Sequence, residues 1–393
     1  MKKVLLLCGS HNDLGVMLAL KKLGYYIIVT GNKDLPADKF ADKKIIADYS
    51  NKELVLSIAV EEKIDFVCQC CNDFGVYTAA FVAEKLGIKG YDTYENTLLL
   101  HNKDKFKSFI KSLNILSPIS DSYNSYEKAI SNKYNYKLPI IVKPVDCSAG
   151  NGVSVVYNYD DFCKAVKMAF SFSKEKKIVV EKYLNGTQHG FCTFLINQKV
   201  VAISSNNEYS IVNPYRVEID TFPSTTYDDS KDILINAIEL IASKLKLTDG
   251  IFHLQYIFCD GKPYIIEVMR RTLGNMYSVL SNKLNNLDWD YWEARALLGL
   301  SLQDFPKNNF VQEGYYAYKT IVAKKNGKIE RIIVSDKLKS HVFEEYFLLN
   351  EGDDICDFKK QPIGFLFLIF SSQEEMHRTL IEDYDDGVIV SIS

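Results

Sequence analysis

Lys143 ends the apolar run Pro139-Ile140-Ile141-Val142. Pro144 then stops the strand and turns the chain into the small-residue loop Cys147-Ser148-Ala149-Gly150-Asn151-Gly152-Val153. An ammonium at a strand end followed by closely spaced backbone amides is suited to phosphate oxygens, because glycines admit positive φ and successive N–H groups form an anion cradle. A lysine buried in such a strand is costly without an anionic partner, although snorkelling to the surface is the ordinary alternative. The G-x-x-x-x-G-K-[ST] spacing is absent, so a Walker-type loop is excluded. Further on, KIVVEKYLNG places Glu181, Lys182, Tyr183 and Leu184 at the end of a second strand. Backbone groups there can pair with a nucleobase, or the segment is a plain edge strand.

A second group of chemically capable residues lies on a candidate hairpin, residues 252–271, with Gln255 on its first strand and Glu267 on its second. Facing oxygen donors on adjacent strands suit Mg²⁺, which takes a few protein oxygens together with phosphates and waters. Arg271 at the hairpin's end can offset charge on a transferring phosphoryl group. Arg216 and Arg270 are candidates to grip a substrate carboxylate in a bidentate fork. Lys105, in the cluster Asn102-Lys103-Asp104-Lys105, reads by itself as the solvated start of a charged helix.

These residues need a scaffold. KKVLLLCG, YYIIVTG, KKIIAD and IDFVCQC read as strands, separated by the helical stretches LGVMLALKKLG and NKELVLSIAVEEK and followed by GVYTAAFVAEKLG. Such alternation means a parallel sheet with right-handed crossovers. The loop Gly9 to Gly15 lacks G-x-G-x-x-G spacing and is not a dinucleotide site. It and Asp73 can still touch a substrate, since open sheets bind ligands beyond the carboxyl ends of their strands. After residue 95 the pattern changes to one long polar helix through TYENTLLLHNKDKFKSFIKSLNI, then antiparallel-looking runs with a hairpin turning at Asp260-Gly261. The expected fold class is α/β and α+β, divided as 1–95, 96–300 and 301–393.

The 393 residues are 47% hydrophobic and 25% charged, and 47 Lys and Arg against 50 Asp and Glu leave a net charge of −3. That balance offers no basic face to nucleic acid. No apolar run approaches the roughly 18 residues of a membrane span, and VLLLC near the N-terminus is too short for a signal peptide. Cys68, Cys70 and Cys71 have no second Cys/His pair at zinc spacing, so buried thiols in a cytoplasmic, reducing setting are expected.

In chain order, Asp104-Lys105, IIVKP, SAGNGV, VVEKYLNG and YIIEVMRR resemble the ATP-grasp superfamily over most of the chain. The resemblance is to carboxylate–amine ligase-like members such as the carbamoyl phosphate synthetase large chain and L-amino acid ligases. It implies a Rossmann-like pre-ATP-grasp domain, an ATP-grasp domain whose two subdomains clamp ATP, and a small C-terminal α+β domain. It further implies ATP and Mg²⁺ as cofactors, with Lys105, Lys143 and the loop residues Ser148, Ala149, Gly150 and Gly152 on the phosphates. Glu181 to Leu184 would hold adenine, and Gln188 the ribose, where the family often has Glu. Gln255 and Glu267 would bind the metal, and Lys143 and Arg271 would serve the step that forms an acyl phosphate. Met269 replaces the metal strand's usual Asn. The implied activity is ATP-dependent ligation of a small carboxylate to an amine, or to a thiol. The alternatives are a carboxylase or phosphotransferase on the same ATP site, or a nucleotide-binding protein that has lost turnover. No nucleic-acid or membrane partner is implied, and a homodimer is compatible.

Overall fold

The computed structural model describes residues 1–147, 150–306 and 310–393. Strands β1 (Lys3–Leu7), β2 (Tyr26–Gly31), β3 (Lys43–Ile46) and β4 (Phe66–Cys68) form a parallel sheet in the order β3-β2-β1-β4. Apolar runs in the central strands reflect burial on both faces. Val4, Leu6 and Val29 pack with helix α1 (Leu14–Lys22), while Leu5, Leu7 and Ile28 pack with α2 (Lys52–Glu62) and α3 (Asp73–Leu86).

The single polar helix expected after residue 94 is two helices, α4 (Tyr94–His101) and α5 (Lys103–Ser112), broken at Asn102 in an extended conformation. The break gives α5 its own phase. Phe106 and Ile110 turn into the central core, and Lys103 and Lys107 lie on the same side at helical spacing. A four-stranded antiparallel sheet follows, made of β5 (Ser120–Tyr123), β6 (Ile140–Pro144), β7 (Ser154–Val156) and β8 (Ile178–Lys182) in the order β5-β8-β6-β7. Helices α6 (Tyr126–Ser131) and α7 (Tyr159–Phe172) cover it through Ala129, Phe162, Val166 and Ala169.

The large sheet positions most of the chemistry. Its strands in chain order are β9 (Thr187–Ile196), β10 (Lys199–Tyr209), β11 (Ile219–Phe222), β12 (Gly250–Cys259), β13 (Lys262–Met269) and β14 (Tyr315–Ile321). The segment after residue 301 contributes β14 and two further strands, so it shares this sheet. A small sheet of β15 (Gly327–Val334), β17 (Asp354–Ile355) and β19 (Val388–Ile392) lies beside it. With β16 (Val342–Phe347) and β18 (Gly364–Phe370), the large sheet reads β13-β12-β9-β10-β11-β14-β18-β16, antiparallel throughout. The hairpin at Asp260-Gly261 forms as expected, both residues having positive φ.

One face of this sheet packs Phe191, Ile203, Leu254 and Val268 under α8 (Tyr227–Leu245) and α5. The other packs Phe194, Ala202, Phe222 and Ile251 against α9 (Ser278–Asn285) and α10 (Trp289–Leu297). Two of this sheet's register shifts change the phase of the strands that reach the polar end. In β10 the register shifts between Val200 and Ala202, so Val200 joins the α8 core and Ala202 the opposite one. Asn206 and Glu208 share the side of Ala202. In β13, Ile266 is the extra residue, so Ile265 and Val268 face α8 while Glu267, paired with Gln255, faces away. Bulges of this kind re-aim side chains where strands reach functional sites.

Helix α10 belongs to two cores, with Ala294 and Leu297 against the parallel sheet and Trp292 and Ala296 against the large one. Its Glu293 is buried and accepts the Ile251 N–H at 2.8 Å, and burial raises its carboxyl from the usual 4.5 to about 7. The folded chain therefore holds this proton more tightly than the unfolded one. This group's contribution to stability falls as pH rises from about 4.5 to about 7, and stays low above that. Glu293→Gln should raise the melting temperature at pH 8 and narrow the difference between pH 5 and pH 8. Thermal melts in which the variant keeps the wild-type difference would contradict this. No helix among the described residues is long and apolar enough to cross a membrane.

Candidate active site

A cavity of about 330 Å³ opens where the polar end of the large sheet meets the start of α5, the carboxyl end of the parallel sheet and the segment 215–217. A row of side chains crosses its floor. Pairing places Gln255 opposite Glu267 on β13 and Gly190 on β9, Glu208 opposite Gln188 and Asp220, and Asp220 opposite Tyr318. Directly opposed residues share a face, and all of these except Gly190 line the cavity. A Cβ on Gly190 would come within 2.3 Å of Asn206 Oδ1, so only glycine lets Asn206 fill this part of the row.

Glu208 organises the centre of the row. Its Oε2 accepts from Gln188 Nε2 at 2.6 Å, and Gln255 Nε2 donates to both of its oxygens at 2.9 and 2.7 Å. Burial raises the Glu208 carboxyl to about 7, with Glu267 adding to the effect. For Glu267, burial acts upward too, but the Lys103 ammonium 3.1 Å away outweighs it and holds the carboxyl below the usual range.

Lys103 also donates to the Cys147 carbonyl at 2.6 Å, tying Glu267 to the start of the glycine loop. Lys105, the lysine expected on the phosphates, is not in the site. It is exposed on the outer side of α5, because the helix break sets positions 103, 106, 107 and 110 inward. Its neighbour Asp104 is an anchor, buried and ion-paired with Lys177.

Lys143 is buried, and its anionic partner is Glu181, 2.9 Å away, with Lys107 at 3.7 Å on the other oxygen. Burial would raise the Glu181 carboxyl, but Lys107 and Lys143 hold it low. Burial lowers the Lys107 ammonium to about 8. Two residues expected at separate stations thus meet each other, outside the wall of the 330 Å³ cavity. Lys182 N–H and Tyr183 N–H bond to the Ile119 and Pro139 carbonyls, and both residues line a second hollow of about 490 Å³ with Tyr136 and Ile140. Leu184 is half-buried beyond the strand end.

Gly150 stands on the cavity wall with φ +72°, and a Cβ there would meet the Tyr215 carbonyl at 2.3 Å. Gly152 follows with φ +74° but is not on that wall. Ser148 and Ala149 lie outside the described residues.

Arg271 lines the cavity and is held by Asp73, whose Oδ1 accepts from its Nε at 2.7 Å. Burial raises the Asp73 carboxyl, but the Arg271 guanidinium more than cancels this and keeps it ionised. Asn12 lines the cavity from the Gly9 to Gly15 loop, and its Oδ1 accepts the Met276 N–H at 3.1 Å. Met269 is also on the wall. Arg216 reaches the cavity, but its Nη1 donates to the Lys360 carbonyl.

Arg270 is not available to a substrate carboxylate. Its Nε bonds Asp92 at 2.8 Å, Nη1 the Gly250 and Ile251 carbonyls, and Nη2 the Thr248 carbonyl and hydroxyl. All five donors are engaged in a buried knot. Among the described residues no group of three His, Cys, Asp or Glu is placed to hold a metal, and the cysteines are free thiols.

Residues 101–271 match the family model for the ATP-grasp (A) domain of phosphoribosylglycinamide synthetase. The fold is similar to that of an L-amino acid ligase from Bacillus licheniformis (18% identity, TM-score 0.82, 100% of this chain and 99% of that one). It is also similar to phosphoribosylglycinamide synthetase from Anaerococcus prevotii (19%, 0.76, 100% of both chains). A third similar structure is the biotin carboxylase domain of the Hydrogenobacter thermophilus 2-oxoglutarate carboxylase, in complex with MgADP (18%, 0.79, 100% and 90%). At these identities the likeness is one of fold. The family match thus covers the central segment, residues 101–271, and this segment is set in a fold shared from end to end with these structures.

Proposed function

We propose that the chain joins a small carboxylate to an amine at the expense of ATP, through an acyl phosphate, releasing ADP and phosphate. The observation that carries the reading is the convergence of Lys103, Glu267, Gln255 and Arg271 on one cavity whose wall includes Gly150 of the glycine loop.

The donor set fits Mg²⁺. Glu267 offers a carboxylate. Gln255, its Nε2 held by Glu208, is turned so that Oε1 is the atom left for a cation. When bound, the ion would offset phosphate charge alongside these side chains. Lys103 and Lys143 supply positive charge on the phosphate side, Gly150 lets backbone approach closely, and Arg271 is kept aimed by Asp73. A substrate carboxylate oxygen attacks the γ-phosphorus, and the bond to the ADP oxygen breaks. The neutral amine then attacks the acyl carbon, the C–N bond forms, phosphate leaves and the amine's proton is released. The site's contribution is positioning and electrostatics, and no Ser/His/Asp arrangement is needed.

The test is a screen for ADP and phosphate release over paired amino acids and other small carboxylates. The expected outcome is stoichiometric ADP, phosphate and amide for some pair, with Glu267→Gln slower by about 10²-fold or more. Accumulation of a stable phosphorylated acid, or turnover that depends on bicarbonate, would replace the ligase reading with a phosphotransferase or carboxylase.

A further inference from the structure

Glu208 and Asp220 sit opposite each other on β10 and β11 and face the same cavity. Asp220 is 3% exposed, and its Oδ1 has no hydrogen-bond partner. Glu208 is held by neutral amides alone, those of Gln188, Gln255 and Asn206. Neither carboxylate forms an ion pair among the described residues. The cations of the cavity are committed elsewhere: Lys103 to Glu267, Arg271 to Asp73, and Arg216 to the Lys360 carbonyl.

Two adjacent carboxylates, one buried and one half-buried, are expensive without a counter-charge, and each makes the other worse. Replacing either with a neutral side chain would remove that cost, so their presence on a cavity floor calls for a cation from outside the chain. The hollow beside them is lined by the rings of Tyr215, Tyr277 and Tyr318. Aromatic faces suit an ammonium and add to its attraction when it is desolvated. Asn275 donates to the Tyr318 hydroxyl at 2.8 Å, and Tyr318 stands directly opposite Asp220 on the neighbouring strand.

We propose that Glu208 and Asp220 form the seat of a substrate ammonium group. The substrate is then an α-amino acid or a primary amine, and a simple or dicarboxylic anion is excluded from this end of the cavity. The inference rests on the ligase reading for what happens at the other end, where Arg271, Gln255 and Glu267 stand. Two sources of the ammonium share this chemistry: the acid that is activated, carrying its own α-ammonium, or the incoming amine before it loses a proton.

The experiment measures binding to the full chain in the presence of Mg²⁺ and a non-hydrolysable ATP analogue, by the shift in melting temperature and by titration calorimetry. The probes are the common L-α-amino acids, the matching 2-hydroxy acids, and unbranched alkylamines and diamines. At least one amino acid or amine should bind. If it is an amino acid whose 2-hydroxy counterpart is silent, the ammonium belongs to the activated acid. If amines without a carboxylate bind, it belongs to the acceptor. Asp220→Asn should weaken that probe by about 10- to 100-fold, the size of one lost charge-assisted hydrogen bond. Binding of the ATP analogue should stay within about twofold, because Asp220 lies three strands from Gln255, roughly 14 Å along the sheet. Because asparagine keeps a polar group beside Tyr318 and Asn206 and carries no charge to bury, the variant should melt no lower than wild type, and Glu208→Gln provides a second neutral variant.

Hydroxy acids that bind as well as amino acids, an Asp220→Asn variant with unchanged affinity, or silence from every amine and amino acid would each overturn the proposal. The two readings fail separately. A probe that binds through Asp220 but never releases ADP removes the ligase and keeps the seat. ADP and phosphate released only with purely anionic acids keep the ligase and remove the seat.

Discussion

Lys103→Ala is expected to lower ADP release by about 10²- to 10³-fold, while Lys105→Ala leaves it within about twofold. The two lysines are two residues apart, but a helix carries such positions to opposite sides. Lys103 touches Glu267 and the Cys147 carbonyl, so it joins β13 to the loop that leads to Gly150. Removing it takes a cation from the cavity wall and leaves the half-buried Glu267 without its counter-charge. The Glu267 carboxyl then rises from its depressed value and becomes a poorer ligand. Lys105 is exposed and has no comparable contact among the described residues. Steady-state ADP release at low and saturating ATP checks both variants. Full activity in Lys103→Ala, with loss in Lys105→Ala, would return the phosphate role to Lys105.

The second large effect is on stability. Arg270→Ala should destabilise the fold by about 3–5 kcal/mol, because it strands a buried carboxylate and four acceptors at once. Asp92 Oδ2 loses its 2.8 Å partner, and the carbonyls of Thr248, Gly250 and Ile251 and the Thr248 hydroxyl lose their donors. Lysine cannot substitute, since one ammonium cannot serve a planar fan of acceptors. Calorimetric melts should show a drop of roughly 4–6 °C. A variant as stable as wild type, with a raised KM for the acid, would mean that Arg270 serves substrate after all.

Much of the scaffold is legible in the chain. The parallel sheet follows from apolar runs separated by helices, and Asp260-Gly261 announces its hairpin because both residues tolerate positive φ. Gln255, Glu267, Arg271 and Gly150 are recognisable from type and spacing, and Gln188 from the resemblance alone, and all reach the cavity. What escapes is whatever depends on phase or on distant partners. The helix break at Asn102 carries no proline or glycine to mark it, and it decides which lysine turns inward. The stripe formed by Lys103, Phe106, Lys107 and Ile110 was available as a signal, since apolar residues at this spacing define the inner side. Arg270 looks identical to Arg271 in the chain, and only the position of Asp92 separates their roles. Glu208 and Asp220 become neighbours through a strand pairing that no local pattern announces. Counting alternate residues from Val200 would also have put Glu208 in the wrong core.

That miscount has a consequence for how this chain can change in length. Strands β10 and β13 each carry one residue more than a regular ladder needs. Losing Val201 or Ile266 would straighten the ladder and leave Glu208 and Glu267 looking the same way, so each strand has slack for one deletion. An insertion finds no such slack: an added residue would need a second bulge, or it would exchange cleft and core for every position beyond it. Descendants of this sequence can therefore shorten these two strands by one residue and keep their site. Lengthening is confined to the loops, and new substrates must be reached by substitution along the row.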